Sequence, residues 1–372
     1  MILEKPEKYQ NQILDEIDDK IKFVSQMSKK QRQFINGIIR QTKPKKILEV
    51  GVSSGASSAV ILNAIKDIEG SQLYSIDVLD KYYYDNSKDI GFIVNESVPE
   101  LSAKWKLYTG NVAAKFMEDI GGNIEVCLLD TMHCNPGEII DFLMIAPFLS
   151  KNSIVILHDI QLHVNSVFKA DSFEKNIPYY TTLVLTTSLS GNKFYPDDDE
   201  HADLSVFNTP NISAIQLDKD NFNANCKDIF YLLTLHWNYM ISDEHNKYII
   251  KIFNKYYDKE LVYLYNSIFY QNKLKFEKNK IIKEHIYEFQ NLSERVEYLE
   301  NNIYKLLERI INTLVWWIPF RNIRNKFRQK IWTGQDRTGQ DRTGQDRTGQ
   351  DRTGQDRTMT NILYDSNMFV II

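Results

Sequence analysis

Residues 46–58 read KILEVGVSSGASS. Lys46–Val50 is an apolar run of strand length, and two glycines punctuate the residues after it. Gly51 permits a tight turn, and Gly55 lets a helix start close to a sheet. The start of that helix presents free backbone N–H groups. A dinucleotide fingerprint, G-x-G-x-x-G, would fall here on Gly51, Ser53 and Ala56. Its second glycine lets the backbone approach a pyrophosphate, and Ser53 stands in that place. A ligand without a pyrophosphate makes no such demand. Glu49, at the end of the strand, is positioned to face an amino group of such a ligand.

Outward from this stretch the pattern repeats. A helix is expected over Ala56–Lys66, a strand over Gln72–Asp77 and a third strand over Trp105–Tyr108. A helix runs from Val112 to Asp119, then a strand over Glu125–Asp130. A helix from Pro136 to Leu149 leads to a fifth strand, Ser153–His158. Strands alternating with helices at this spacing predict an α/β fold: a doubly wound, mostly parallel, Rossmann-like sheet with helices on both faces. The β-like runs Tyr180–Thr187 and Ile212–Leu217 are expected as an antiparallel edge. Ligands of such sheets lie beyond the carboxyl ends of the strands.

Glu49, Gly51, Ser53 and Gly55 form E-x-G-x-S-x-G after a strand. This resembles motif I of the class I S-adenosylmethionine-dependent methyltransferases, and SSGASS resembles their O-methyltransferase-like branch. The resemblance implies that S-adenosyl-L-methionine is held by Glu49, Gly51, Ser53, Gly55 and Ser57. It further implies that Asp77, 28 residues after Glu49, accepts the ribose hydroxyls, that Asn111 meets the adenine, and that Asp130 lies beside the methyl. The plainer alternatives are a glycine turn of any α/β protein and a strand-ending aspartate in a turn.

The fourth strand ends in Asp130-Thr131-Met132-His133 and the fifth in His158-Asp159. This is similar to a group of glycan- and sugar-modifying methyltransferases. That resemblance implies a metal such as Mg²⁺ on Asp130 and Asp159, and His133 as general base with Asp130 beside it. His158 stands where the metal-dependent sugar enzymes carry a carboxylate and joins the candidate metal set. The chemistry is coherent: a sulfonium is already reactive, so the enzyme must align and deprotonate a weakly acidic hydroxyl. A cation on hard oxygen ligands lowers that hydroxyl's pKa, and an imidazole takes its proton near neutral pH. Alternatively, Asp130 and His133 are a capping pair and His158 is structural. His163, and the acidic run Asp197–Glu200 with His201, are weaker candidates. Cys127 is expected in the core, and no Cys-His-Asp spacing supports thiol catalysis at Cys134.

The chain has 372 residues, 43% hydrophobic and 25% charged, with a formal net charge of −4. These values exclude wholesale disorder and speak against a nucleic-acid partner. Three cysteines without CxxC spacing argue against a disulfide framework or a zinc cage. The first residues lack a signal-peptide core, and no run approaches ~18 apolar residues, so a cytoplasmic location is expected.

The regions expected are an N-terminal helical segment 1–45, a methyltransferase domain 46–223 and a helical region 224–280. Beyond them come a coiled coil 281–313, a Trp/basic segment 314–332, a disordered repeat 333–358 and a tail 359–372. In the coiled coil, Ile282, Phe289, Val296, Ile303 and Ile310 share one heptad position; Leu292, Leu299 and Leu306 share another. That choice favours a parallel homodimer through 282–310, the alternative being a helix packed on its own domain. Residues 314–332 combine adjacent tryptophans with Lys and Arg, as at a peripheral contact on the inner face of a membrane. Five TGQDR units span Thr333–Arg357. They match translation of a tandem pentanucleotide, ACAGG, a hypothesis of a frame-shifting tract that synonymous codons would refute.

The expected function is O-methylation of a sugar hydroxyl of a bacterial surface glycan or its precursor. The competing functions are methylation of another small molecule and a non-catalytic, cofactor-binding scaffold in a glycan-assembly complex. A nicotinamide-dependent oxidoreductase is disfavoured by Ser53.

Overall fold

A computed structural model describes residues 3–163, 179–197, 210–218, 222–316, 321–323 and 325–326. Two compact units are present, one reaching Lys273 and the other starting at Leu274.

The first unit is built on a seven-stranded sheet. Its strands are β1 (Lys46–Val50), β2 (Gln72–Ile76), β3 (Trp105–Tyr108), β4 (Ile124–Leu129), β5 (Leu149–His158), β6 (Gly191–Phe194) and β7 (Ile212–Leu217). Their spatial order is β3-β2-β1-β4-β5-β7-β6. The first five are mutually parallel, whereas β7 runs antiparallel to both β5 and β6. The chain order reverses between β1 and β4, which places a crevice at their carboxyl ends.

The helices before the sheet are α1 (Asn11–Ile21) and α2 (Lys29–Thr42). Between and after the strands come α3 (Ala56–Ala64), α4 (Phe92–Ser97), α5 (Ala113–Ile120), α6 (Gly137–Ile145) and α7 (Thr181–Ser188). Beyond the sheet lie α8 (Phe222–Leu232), α9 (Asp243–Tyr256) and α10 (Lys259–Trp316). Strand alternation explains the layering. Val126, Leu128, Ile154 and Ile156 face a core shared with α1 to α4, formed by residues such as Leu14, Phe34, Ile38 and Val60. The intervening Cys127, Leu129, Val155 and Leu157 are equally buried and point to the opposite face. On α9 and α10, Phe253 and Tyr265 stack edge to face, 4.9 Å between centroids.

Two details of the N-terminal helices matter for the site. Ser28 and Gln31 form a reciprocal capping box at the start of α2. Arg32, buried on α2, donates to Asp18 of α1 at 2.7 and 2.8 Å, locking the helix pair with a charge-assisted bond.

The helix expected to reach Leu149 ends at Ile145, and β5 begins at Leu149 rather than Ser153; one further element changes type altogether. Tyr180–Thr187, expected as a β edge, folds as the helix α7. Its buried positions, Thr181, Thr182, Leu185 and Thr186, recur at helical spacing. The Thr186 hydroxyl donates to the Thr182 carbonyl one turn back, so threonine's β preference yields to packing. The edge is instead built from β6 and β7, and β7 coincides with the expected Ile212–Leu217.

The second unit, as far as it is described, is the rest of α10 to Trp316 and short helical pieces at 321–323 and 325–326. Trp317, Pro319 and most of the basic stretch, like the TGQDR repeat and the tail, lie outside the described residues. No helix among the described residues is long and apolar enough to cross a membrane.

Candidate active site

The glycine turn after β1 is dictated by contact with β4. Gly51 has φ +91°, and a Cβ there would lie 1.9 Å from the Asp130 carbonyl oxygen. Gly55 has φ +88°, and its Cβ would lie 2.7 Å from the Gly91 Cα. Between them Ser53 adopts φ 55°, a conformation unfavourable for a non-glycine residue. Asp77 holds the turn in this shape. Its Oδ2 accepts from the Val52 and Ser53 N–H groups at 2.9 and 3.0 Å. Its Oδ1 accepts from the Leu79 N–H at 2.9 Å. Asp77 is thus a turn residue and, at the same time, part of a cavity wall.

Glu49 is placed elsewhere. It is fully buried and does not line the cavity. Its Oε1 accepts from the Ser57 hydroxyl at 2.6 Å, and its Oε2 from the Ser58 and Ser75 hydroxyls at 2.5 and 2.6 Å. It therefore ties the first turn of α3 to β1 and β2. Burial pushes its carboxyl up to about 7, against the pull of the three serines and with help from the Asp130 charge.

The cavity at the strand ends encloses about 330 Å³, within the ~300–1,000 Å³ usual for small-molecule sites. Gly51, Ser53, Ser57, Asp77, Asn111 and Asp130, all singled out in the sequence, line it, as does His133. Its far walls come from segments that carry no sequence motif. Val24–Met27, between α1 and α2, and Tyr83 form one; Tyr239–Ser242, His245 and Ile249 form another. His163 is not among the lining residues.

At one rim the ends of β4 and β5 bring four titratable side chains together. The His133 Nε2 lies 3.1 Å from the Asp159 Oδ2 and 3.7 Å from the Asp130 Oδ1. The His158 Nδ1 lies 3.1 Å from the Asp130 Oδ1, and its Nε2 3.2 Å from the Gln31 Oε1. Both His158 partners are acceptors, so both ring nitrogens carry hydrogen. Burial works against that charge, but the Asp130 and Asp159 carboxylates outweigh it and raise His158 to about 9. Burial would likewise raise Asp159, yet His158 first and then His133 hold it well below the usual carboxylate range. Asp159 is also fixed by the Asn211 amide, which donates to it at 2.6 Å. Asp130, His133 and Asp159 each offer one ligand atom, all within 4.8 Å of one another, a donor set that fits a divalent cation. His158 spends both its nitrogens on Asp130 and Gln31.

Two carboxylates here went unnoticed in the sequence. Glu138 on α6 is fully buried and 2.5 Å from the His133 Nδ1. The Thr181 and Thr182 hydroxyls of α7 donate to its two oxygens at 2.6 and 3.0 Å. Burial alone would lower His133, but Glu138 and Asp159 overcome it and hold the imidazolium well above its ordinary pKa. Asp141, one turn further along α6, lines the cavity and accepts from the Thr131 hydroxyl at 2.6 Å. Burial pushes it up to about 7. The available signal was two acids in GEIIDFLMI, an otherwise apolar helix with no solvent face to receive them.

The remaining candidates fall away from the cavity. Asp197 pairs with Lys5 and Lys8 at 2.8 and 3.0 Å, whereas Asp198–His201 lie outside the described residues. Cys127 and Cys134 are buried, and burial pushes the Cys134 thiol up to about 12, the opposite of what a thiolate nucleophile needs.

Residues 48–160 match a family model described as a methyltransferase domain. The match begins in β1 and ends just past Asp159, so it contains the glycine turn and the rim. It supports a class I S-adenosylmethionine-dependent methyltransferase on a Rossmann-like sheet. Solved structures similar to this chain include an O-methyltransferase from Streptomyces achromogenes involved in tomaymycin synthesis, in complex with S-adenosylmethionine. It is 12% identical, covering 56% of this chain and 91% of that one, with a TM-score of 0.38. An O-methyltransferase from Bacillus cereus, in complex with S-adenosylhomocysteine, gives the same 12%, 56%, 91% and 0.38. Likenesses this distant say nothing about the acceptor. The comparison with curated proteins found no match. The far walls at 24–27 and 239–249 lie outside the matched methyltransferase domain.

Proposed function

We propose that this protein transfers the methyl group of S-adenosylmethionine to a hydroxyl oxygen, with a sugar of a surface glycan or its precursor as acceptor. The observation that carries this reading is the joining, in one cavity, of the turn held by Asp77 and the His133 rim. The nucleoside lies over Gly51–Gly55, its ribose beside Asp77 and its adenine toward Asn111. The acceptor hydroxyl takes the place of Asp159 at the His133 Nε2; without that carboxylate the imidazolium first releases its Nε2 proton to water, leaving a neutral imidazole whose Nδ1–H donates to Glu138. Its oxygen attacks the methyl carbon, the methyl–sulfur bond breaks, and the hydroxyl proton passes to the Nε2. The Glu138 carboxylate, accepting from the Nδ1, fixes the tautomer and stabilises the imidazolium that forms. Incubation of the full chain with methyl-labelled S-adenosylmethionine and nucleotide sugars tests this. We expect label in a sugar ether, and turnover at least ~10²-fold lower in His133→Ala with cofactor affinity retained. Unchanged turnover in that variant removes His133 as base.

A second reading is favoured by the convergence of Asp130, His133 and Asp159. These three would hold a divalent cation, which when bound supplies Lewis-acid activation of the hydroxyl. His133 is then a ligand, not the base. Loss of turnover on chelation, restored by Mg²⁺ or Mn²⁺, selects this reading; turnover indifferent to chelator selects the first.

A further inference from the structure

The second unit carries an apolar stripe with no part in the cavity chemistry. Along α10, Phe289, Leu292, Val296, Leu299, Ile303 and Leu306 recur at alternating spacings of three and four, and each is 48–73% exposed. A strict seven-residue repeat drifts around a straight helix and keeps facing its neighbour only when two helices supercoil. We propose that residues 282–310 form a parallel, in-register, two-stranded coiled coil with a second copy of this chain.

The sequence of the stripe selects that occupant. Ile282, Val296, Ile303 and Ile310, together with Phe289, fill one core position mostly with β-branched side chains, and leucine at 292, 299 and 306 fills the other, which His285 interrupts near its start. This combination favours two parallel strands. The flanking charges agree. In register, Arg295 of one copy meets Glu300 of the other, five residues further along, and this pair occurs twice by symmetry. Glu288 meets Ser293 and Asn302 meets Leu307, so no like charges oppose. Sliding one helix by a heptad would set Glu288 against Glu300 and break the Arg295 pair. The charges therefore fix the register as well as the partner. The inference does not depend on the methyltransferase reading.

Sedimentation and cysteine trapping of the full chain test it. We expect a dimer at micromolar concentration. Ile282→Cys and Ile310→Cys, made singly, should each form a disulfide-linked dimer under mild oxidation, since each residue meets its own counterpart. The native thiols Cys127, Cys134 and Cys226 are buried, and the unmodified chain is the control. In an antiparallel coil the two copies of residue 282 would sit ~42 Å apart at 1.5 Å per residue, and neither variant would cross-link. Leu299→Asp should sediment as a monomer that retains its near-ultraviolet dichroism. A monomeric full chain, a dimer that neither cysteine traps, or a dimer unaffected by Leu299→Asp each overturns the proposal.

Discussion

At the residue scale, the site is decided by where buried charge finds its partners. His133 directs its Nε2 at Asp159 because Glu138 holds its Nδ1, and two threonine hydroxyls donate to the Glu138 oxygens and fix them in place. Glu138→Gln keeps the size but puts an amide NH₂ where one of these donors points. The expected result is a kcat at least ~10-fold lower with an unchanged Kd for S-adenosylhomocysteine, as for orienting carboxylates elsewhere. Steady-state kinetics with parallel calorimetry check it; equal kcat would reduce Glu138 to a core residue. That Gly51, Ser53, Asp77, Asp130 and His133 lie around one cavity was legible in the sequence, because strand ends and glycine turns mark one side of an α/β sheet. Glu138 was not, because its role depends on Thr181 and Thr182, more than 40 residues away in a run whose composition suggests a strand. Glu49 was misleading for the opposite reason. Its position matches the motif, but three serines close around it.

At the element scale, β1, β2 and β4 were legible to within a residue or so because parallel strands buried on both faces read as continuous apolar runs. The helix α7 was not: propensity favoured a strand, while packing against α6 required buried positions at helical spacing. The start of α2 links fold and site. Ser28 caps the helix, and Gln31 both closes the capping box and accepts from the His158 ring. Ser28→Ala is expected to lower stability by ~1 kcal/mol, the usual worth of such a cap. Denaturant unfolding measures this; a change within about ±0.2 kcal/mol would mean that packing alone sets the start of α2. Gln31→Ala removes both contacts and is expected to cost more than Ser28→Ala.

At the scale of the whole molecule, the buried acids govern the pH dependence of stability. Glu49 and Asp141 both stand near 7 when folded, above their ordinary carboxylate values. Between those values and 7 the unfolded chain releases the proton that the folded chain keeps, so the contribution of these two acids falls as pH rises and levels off above 7, while the raised His158 carries a further decline from about 6.5 to about 9. Rises of this size correspond to about 3–4 kcal/mol per group. Asp159 acts with the opposite sign: its folded value is depressed, so its contribution is lost on acidification. Asp141→Asn should therefore flatten the decline in melting temperature between about pH 4 and 7, where carboxylates titrate. Parallel melting curves for the variant and the unmodified chain would contradict this. The change in texture near residue 224 does not coincide with the division into two units, which falls between Lys273 and Leu274, inside α10. The cavity walls at Val24–Met27 and Tyr239–Ser242 were not legible, since neither stretch carries a motif and only the packing of α1, α2 and α9 brings them to the strand ends.

The catalytic roles presuppose a sulfonium nucleoside over the turn between Gly51 and Gly55. Isothermal titration of the full chain with S-adenosylhomocysteine, with NAD in a parallel cell, tests that most directly. The expected result is one site per chain for S-adenosylhomocysteine, at least ~10-fold weaker in Asp77→Ala (a loss of about 1.4 kcal/mol), and no heat from NAD. No binding of S-adenosylhomocysteine, or saturable binding of NAD at the same site, would contradict the account.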